Sequence, residues 1–167
     1  MKCILTKINT LFPPKTPPFQ VTLVKFNPTV GNVLASCSGD HTVKIWDIEK
    51  GEAVTTFEGN TELTQDLAWD YQGNILATSC KDKNIRMIDG RTGALANTIT
   101  TPHEGSKSVK TVWLGNSGKF ATVGFTRQSQ RELKIWDMNN LDKEVSERTN
   151  ERTNERKWLQ PPSPLLN

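Results

Sequence analysis

Apolar and polar residues alternate along short stretches of this chain, and the clearest stretch runs from Val43 to Asp47. Val43 and Ile45 fall on one face of an extended chain, and the residues between and after them fall on the other, because strand side chains alternate with a period of two. Gly39-Asp40 precedes the stretch, and both residue types favour turns. The pattern predicts a tight turn that leads into a β-strand ending in a Trp-Asp pair.

The same pattern returns twice further along the chain. Trp46 and Ile88 occupy matching positions 42 residues apart, and three other pairs of landmarks in these two copies share that spacing. The third copy ends at Trp136, 48 positions after Ile88, because residues 125–131 lengthen its turn. This agreement indicates an internal repeat, which is typical of architectures built from stacked units.

Each copy contains four segments that predict short strands. The segments are 21–26, 33–37, 43–47 and 53–57 in the first unit, 67–69, 75–80, 85–88 and 94–99 in the second, and 109–114, 119–124, 133–136 and 143–145 in the third. Apolar residues occupy both faces of the first strand, which predicts that this strand is sandwiched between two layers. Because helical spacing is absent from the repeats, the sequence predicts an all-β fold.

The two ends of the chain differ from the repeats in composition. Residues 1–20 contain four prolines and no periodicity, so they predict an extended or disordered arm. Residues 146–167 contain copies of Glu-Arg-Thr-Asn followed by prolines, so they predict a disordered low-complexity tail. The repeats are predicted to occupy residues 21–145, divided at about 21–60, 61–101 and 102–145.

Composition limits the classes of function that the chain can have. With 167 residues, a net charge of +3 and 35% hydrophobic residues, the chain has the size of one soluble domain. The three cysteines lack the spacing of a zinc site or a disulfide framework, and no apolar run reaches the length of a membrane span. These features predict a cytoplasmic protein with reduced cysteines, no metal, no cofactor and no nucleic-acid partner.

Motifs typical of catalysis are missing from the sequence. Gly118-Lys119-Phe120 resembles the end of a phosphate-binding loop, but it lacks the earlier glycine and the following hydroxyl residue. The two histidines, His41 and His103, fall in different turns, and no serine-hydrolase or zinc-protease motif occurs. We therefore expect no catalytic residue and no enzymatic activity.

Four strands per unit and a period near 42 residues resemble the Trp-Asp repeats of the β-propeller family. In that family a Ser or Thr on the second strand, an Asp in the turn, the Trp and a preceding His form a buried hydrogen-bonded set in each blade. The resemblance implies a structural role for the matching residues, which are Ser36, Asp40, Trp46, Thr78, Asp82, His103, Thr122 and Trp136. Ile88 replaces the Trp of the second unit, and the longer turn removes the Asp of the third.

The second and third units also resemble the coronins. This resemblance is carried by the run Ser79 to Asp89, the triplet His103-Glu104-Gly105 and the run Thr122 to Leu133 with its Gly-Phe-Thr-Arg segment. It implies a cytoskeletal regulator that binds actin filaments and whose complete propeller has seven blades. Because this chain offers three, we expect a fragment or a truncated or mispredicted product, and an open arc with an exposed apolar blade face. Such an arc should be marginally stable, prone to aggregate, or completed by self-association through its exposed faces.

Basic residues mark the equivalent turns of the second and third units. They are Lys81, Lys83 and Arg86 in one turn and its exiting strand, and Arg127 and Arg131 in the other. Equivalent turns of adjacent blades emerge on one rim, so the pattern predicts a basic strip that faces an acidic filament such as actin. The alternative hypothesis is a generic WD-repeat scaffold fragment that binds a peptide or another subunit and has no actin affinity.

Overall fold

The computed structural model of the chain describes residues 20–149, with side chains described for residues 20–141. The described residues form twelve β-strands, arranged as three four-stranded antiparallel sheets in chain order. In each sheet, strands that are consecutive in the sequence pair with one another. The prediction of an all-β partial propeller with three blades is therefore confirmed.

We call the three sheets blades 1, 2 and 3. Blade 1 contains β1 (Val21–Phe26), β2 (Val33–Ser38), β3 (Val43–Asp47) and β4 (Glu52–Phe57); blade 2 contains β5 (Thr64–Trp69), β6 (Ile75–Cys80), β7 (Asn84–Asp89) and β8 (Leu95–Thr100); blade 3 contains β9 (Lys110–Trp113), β10 (Lys119–Phe125), β11 (Arg131–Asp137) and β12 (Asn140–Thr149). The observed strands overlap all twelve predicted segments, because alternation and turn residues are local signals.

The last strand runs further than the sequence predicts. β12 continues to Thr149, whereas the predicted strand ends at Val145 and the predicted tail begins at Ser146. Residues 146–149 pair with β11, and Thr149 lies opposite Glu132. Backbone groups form these pairs, so a charged and polar sequence can extend the sheet. The rest of the predicted tail, 150–167, and residues 1–19 of the predicted arm lie outside the described residues.

Two apolar layers join the three blades. Between blades 1 and 2 lie Ala35, Cys37, Val43, Ile45, Phe57, Leu67, Leu76 and Ile88, all of them buried. Between blades 2 and 3 lie Ala77, Ile85, Met87, Ile99, Val109, Phe120 and Trp136, which are also buried. Both layers exclude water from apolar side chains, which is the main favourable contribution to holding the blades together.

Tryptophans on the first strands tie each blade to the one before it. Trp69 Nε1 donates a hydrogen bond to the carbonyl oxygen of Lys25 at 3.2 Å, and Trp113 Nε1 donates to that of Ala68 at 3.0 Å. Each bond runs from the first strand of one blade to the first strand of the preceding blade, and β5 contacts both β1 and β9. The first strands therefore lie side by side, as in a propeller whose blades are arranged radially.

One face of β1 is open, so the prediction that this strand is sandwiched between two layers is wrong. Val24 and Phe26 on this face are 44% and 54% exposed. In blades 2 and 3 the equivalent residues pack on a preceding blade, whereas no described blade precedes blade 1. The exposed face agrees with the expectation of an open arc.

Candidate functional site: a basic rim on blades 2 and 3

The β6–β7 turn of blade 2 and the β10–β11 turn of blade 3 both reach Glu104, in the loop between the blades. Lys83 Nζ donates a hydrogen bond to the backbone carbonyl of Glu104 at 2.9 Å. Arg127 Nε lies 2.8 Å from the Glu104 carboxylate, and these two side chains are 75% and 58% exposed. An ion pair this exposed adds little stability. Its importance is positional, because it places cations of adjacent blades side by side on one rim.

We define the basic rim as the exposed cations on this side of blades 2 and 3, which are Lys81, Lys83, Lys107, Arg127 and Arg131. The sequence analysis missed Lys107, which lies in the loop between the blades. Its ammonium group is 4.7 Å from the centre of the Phe125 ring, a distance that allows a cation–π interaction. A Lys shortly after the His-Glu-Gly triplet was the available signal, but the repeat pattern does not specify the path of this loop.

Arg86 does not contribute to this surface, contrary to the sequence prediction. The residue is 8% exposed, and its Nη2 lies 2.6 Å from Asp82 Oδ2 in a salt bridge. Its Nη1 donates a second hydrogen bond to the side-chain oxygen of Asn60 at 3.2 Å. Burial alone would raise the pKa of Asp82, but the hydrogen bonds led by the one from Arg86 outweigh it and lower that pKa to about 2. Arg86 is therefore held inside blade 2 and is not available to a partner.

The triplet His103-Glu104-Gly105 and the Gly124-Phe125 segment, which are 19 residues apart in the sequence, meet in the fold. The backbone N–H of Gly105 donates to the carbonyl of Phe125 at 2.7 Å. A Cβ on Gly105 would lie 2.5 Å from that carbonyl oxygen, and a Cβ on Gly124 would overlap the His103 ring. Glycine at both positions permits this approach, which fixes Glu104 beside Arg127.

A buried hydrogen-bonded set lies beneath the basic rim in blade 3. Trp136 Nε1 lies 2.9 Å from Thr122 Oγ1, which in turn lies 2.8 Å from His103 Nε2. His103 Nδ1 lies 2.8 Å from Glu132 Oε2. An indole N–H can only donate, so Thr122 accepts from Trp136 and donates to His103 Nε2; His103 Nδ1 then donates to the carboxylate. The chain of donors and acceptors is complete with a neutral histidine.

Glu132 is the acidic member of this set, and the sequence analysis missed it. The sequence suggested that blade 3 lacks an acid because its turn is longer, yet Glu132 on β11 reaches His103 from the other end of that turn. Its other oxygen lies 3.3 Å from Lys134 Nζ. A Glu beside the repeat strand was visible in the sequence, but its distance from His103 depends on how the turn folds.

Burial sets the charge state of His103, whose side chain has no exposed surface. Burial lowers the pKa of His103, and it outweighs the opposing effect of Glu132. Burial alone would raise the pKa of Glu132, but the hydrogen bond from His103 and the charge of Lys134 hold that pKa below its usual value. A neutral imidazole beside a carboxylate is thus the state that the geometry supports.

The corresponding sets in blades 1 and 2 differ from that of blade 3. In blade 1, Trp46 Nε1 donates to Ser36 Oγ at 2.9 Å, whereas Asp40 is exposed and accepts hydrogen bonds from Ser38 and Thr42 within its own turn. Asp40 therefore lies outside the buried set in which the sequence places it, because its short side chain is used by the neighbouring turn residues.

In blade 2, where Ile88 replaces the Trp, the buried polar contacts centre on Arg86 instead. Thr78 Oγ1 donates to the backbone carbonyl of Arg86 at 3.3 Å, and Asp82 binds its guanidinium. Asn60 joins Arg86 to Thr64 through its side-chain amide. The buried polar contacts thus differ from blade to blade, and the basic rim lies above those of blades 2 and 3.

A polar cleft of about 310 Å³ lies beside the rim, lined by Thr101, Pro102, Glu104, Thr126, Glu132 and Lys134.

Among residues 20–141 no group of His, Cys, Asp or Glu side chains is arranged to hold a metal ion. In the described part of the chain no helix has the length and apolar character needed to cross a bilayer.

Comparison with protein families gives two matches, both to WD-repeat models. The family described as WD domain, G-beta repeat, matches residues 10–47. The family described as anaphase-promoting complex subunit 4 WD40 domain matches residues 56–116.

The similar curated proteins and a similar solved structure carry coronin names. The chain is 38% identical over 126 residues to Coronin-like protein crn1 of Schizosaccharomyces pombe, and 37% identical over 117 residues to Coronin-7 of Mus musculus. These alignments cover 75% and 70% of this chain but only 21% and 13% of the relatives. The WD40 domain of Toxoplasma gondii coronin matches with a TM-score of 0.74 and 32% identity, over 80% of this chain and 35% of that structure.

Proposed function

Because this chain consists of WD-repeat blades and is homologous to coronins over most of its length, we propose that it is a non-catalytic module that binds actin filaments through the basic rim. The observation that carries the proposal is the shared contact of Lys83 and Arg127 with Glu104, which joins the cationic turns of two blades into one surface. Under this proposal the chain is cytoplasmic and associated with the cytoskeleton.

Charge is unevenly distributed along this side of the arc. Blade 1 carries the exposed acid Asp40 in its β2–β3 turn, whereas the turns of blades 2 and 3 and the loop between them carry the five cations of the basic rim and Glu104. The exposed acids Glu58 and Glu62 lie in the β4–β5 loop, whose Leu63 carbonyl accepts a hydrogen bond from the Lys81 N–H of blade 2. An acidic filament surface would be attracted to the cationic turns and repelled by Asp40. Such complementarity steers encounter and selects orientation more than it raises affinity, so we expect rapid, salt-sensitive binding.

Cosedimentation of the 167-residue chain with actin filaments tests the proposal. The protein should pellet with filaments. The bound fraction should fall as the salt concentration rises from about 50 to about 200 mM, because added salt screens the attraction between surface charges. Combined substitution Lys81→Glu, Lys83→Glu and Arg131→Glu should weaken binding by at least about tenfold, since each reversal replaces an attraction by a repulsion.

A matched control reverses charge on the opposite rim. Lys50 and Arg91 are exposed and lie in the β3–β4 and β7–β8 turns, so Lys50→Glu with Arg91→Glu should leave binding unchanged. If the rim and control variants pellet equally well, filament binding uses another surface and the basic rim is the wrong site. If the unaltered chain does not pellet at any salt concentration, a scaffold fragment without actin affinity is the better description.

A further inference from the structure

Glu104 is an exposed carboxylate that lies among the cations of the basic rim. Its neighbours Pro102, His103 and Gly105 are buried, whereas its own side chain is 58% exposed. A negative charge at this place lowers the attraction between the rim and any anion. The way in which Glu104 is held therefore bears on which anions the rim can bind.

The loop that carries Glu104 is attached to the turns on both sides of it. The Thr101 N–H donates a hydrogen bond to the Lys83 carbonyl at 2.9 Å, and the Gly105 N–H donates to the Phe125 carbonyl at 2.7 Å. The φ of Thr101 is +50°, a left-handed value that a β-branched residue adopts only where the surrounding contacts impose it. The backbone of Glu104 is therefore fixed relative to the turns of blades 2 and 3.

Two cations of adjacent blades converge on Glu104. Lys83 Nζ donates to its backbone carbonyl at 2.9 Å, and Arg127 Nε lies 2.8 Å from its carboxylate. A phosphate group carries a charge of about −1.5 to −2 in a small volume, so it binds best where two or more cations meet at one point. At this point of the rim the place of such an anion is already taken by a carboxylate of the protein.

The atoms that form the Arg127 contact limit phosphate binding further. A guanidinium group binds a phosphate most strongly through two parallel N–H groups. Because Nε of Arg127 already contacts Glu104, the edge of the guanidinium that includes Nε is occupied. A phosphate would have to displace a carboxylate on a fixed backbone, or bind the remaining N–H groups beside a like charge.

The other cations of the rim are available as separate charges. Lys81, Lys107 and Arg131 are exposed, and none of them forms an ion pair with another residue of the described part of the chain. They belong to three different segments, which are the β6–β7 turn, the loop between the blades and the start of β11. Carboxylates that are spread over a protein surface can pair with such cations one at a time.

We propose that Glu104 determines the specificity of the basic rim, because its carboxylate occupies the point where Lys83 and Arg127 converge. The rim therefore binds carboxylates spaced over a protein surface and discriminates against phosphate groups. Specificity of this kind depends on a repulsive element as well as on attraction. The preference for an acidic protein surface rests on the proposed function, whereas the discrimination against phosphate does not.

Titration calorimetry of the 167-residue chain with inorganic tripolyphosphate tests the discrimination. Glu104→Gln removes the charge and Glu104→Ala also removes the side chain, so each should bind tripolyphosphate at least about tenfold more tightly than the unaltered chain. Adding Arg127→Gln to either variant should abolish the gain, since one of the two converging cations is then lost. Circular dichroism establishes that each variant keeps its β-structure.

Glu49→Gln is the matched control for net charge. Glu49 is exposed in the β3–β4 turn on the opposite rim, and its substitution changes the total charge by the same amount. This variant should bind tripolyphosphate as the unaltered chain does. Equal affinities of Glu104→Gln and Glu49→Gln for tripolyphosphate would overturn the proposal.

Cosedimentation with actin filaments at the same salt concentration tests the selectivity. Glu104→Gln should change filament affinity by less than about threefold, because the filament pairs with the separate cations and the exposed ion pair contributes little. An equal gain for filaments and tripolyphosphate would show that Glu104 weakens the binding of all anions alike, and would overturn the proposal. If the unaltered chain does not pellet while the tripolyphosphate gain is present, the proposed function fails and the discrimination against phosphate stands.

Discussion

His103 Nδ1 lies 2.8 Å from Glu132 Oε2, and this contact joins the loop between blades 2 and 3 to the third strand of blade 3. His103 also receives a hydrogen bond from Thr122, so one buried ring holds two strands and a loop together. Because Glu104 follows His103 directly, the position of the basic rim depends on this buried contact.

Replacing Glu132 should destabilise blade 3. We expect Glu132→Gln to lower the free energy of unfolding by about 1–3 kcal/mol, because it weakens a charge-assisted hydrogen bond in a buried site. Urea denaturation followed by tryptophan fluorescence measures the change. Glu104→Gln serves as the control, since the Glu104 side chain is exposed and its loss should change stability by less than about 1 kcal/mol.

The stability of the chain should decline on mild acidification. Burial holds the pKa of His103 below its ordinary value in the folded state, so the unfolded chain binds the proton more readily. The free energy of unfolding should fall as the pH drops below about 6.5, the ordinary histidine pKa, and this loss should stop below the folded-state pKa. The depressed pKa of Glu132 adds a second loss below about 4.5.

Urea unfolding at intervals between pH 5 and pH 8 measures this dependence. His103→Asn removes the titrating group, so the variant should be less stable at pH 8 but should show a flatter profile between pH 5 and pH 7. An equally steep profile in the variant would assign the pH dependence to other groups.

Asp82 and Arg86 should behave as a coupled pair. Asp82→Asn leaves the guanidinium of Arg86 buried without its carboxylate, and we expect a loss of about 3 kcal/mol. The double substitution Asp82→Asn with Arg86→Met removes both charges and should recover a large part of that loss. Thermal unfolding of both single variants and the double variant gives the coupling energy; additive effects would show that the two side chains act independently.

Gly124→Ala should disturb blade 3 through the His103 ring. The added Cβ would overlap the ring, so either the ring or the strand must move, at a cost of about 1–3 kcal/mol. Gly31→Ala is the control, because nothing lies within 4 Å of a Cβ at that position. A fall in melting temperature for Gly124→Ala alone would support the close approach of His103 to β10.

A substitution at Lys83 can distinguish the effect of its charge on binding from the effect of its backbone conformation on stability. Its φ is +66°, in the left-handed region, where asparagine is better tolerated than lysine. Lys83→Asn should therefore keep or slightly raise stability while it weakens filament binding, which cosedimentation and thermal unfolding measure together. His41 has an equivalent φ of +67° in the turn of blade 1, so His41→Asn tests the backbone effect away from the basic rim.

The sequence alone determined the three meanders, their order and the faces of their strands. Val43 and Ile45 face one way and Trp46 the other because strand periodicity is local, and turn residues mark where each strand ends. The equivalence of the turns that carry Lys83 and Arg127 followed from the repeat in the same way.

Only the tertiary structure decided which polar side chains meet. Arg86 turns inward to Asp82 and Asn60, Glu132 reaches His103, and Lys107 joins the basic rim. Contacts such as that between His103 and Glu132, 29 residues apart, depend on the packing of blades and the paths of loops. The repeat pattern does not encode the paths of the loops. Backbone pairing and apolar packing place the strands, but they do not determine which of several polar groups the end of a long side chain will contact.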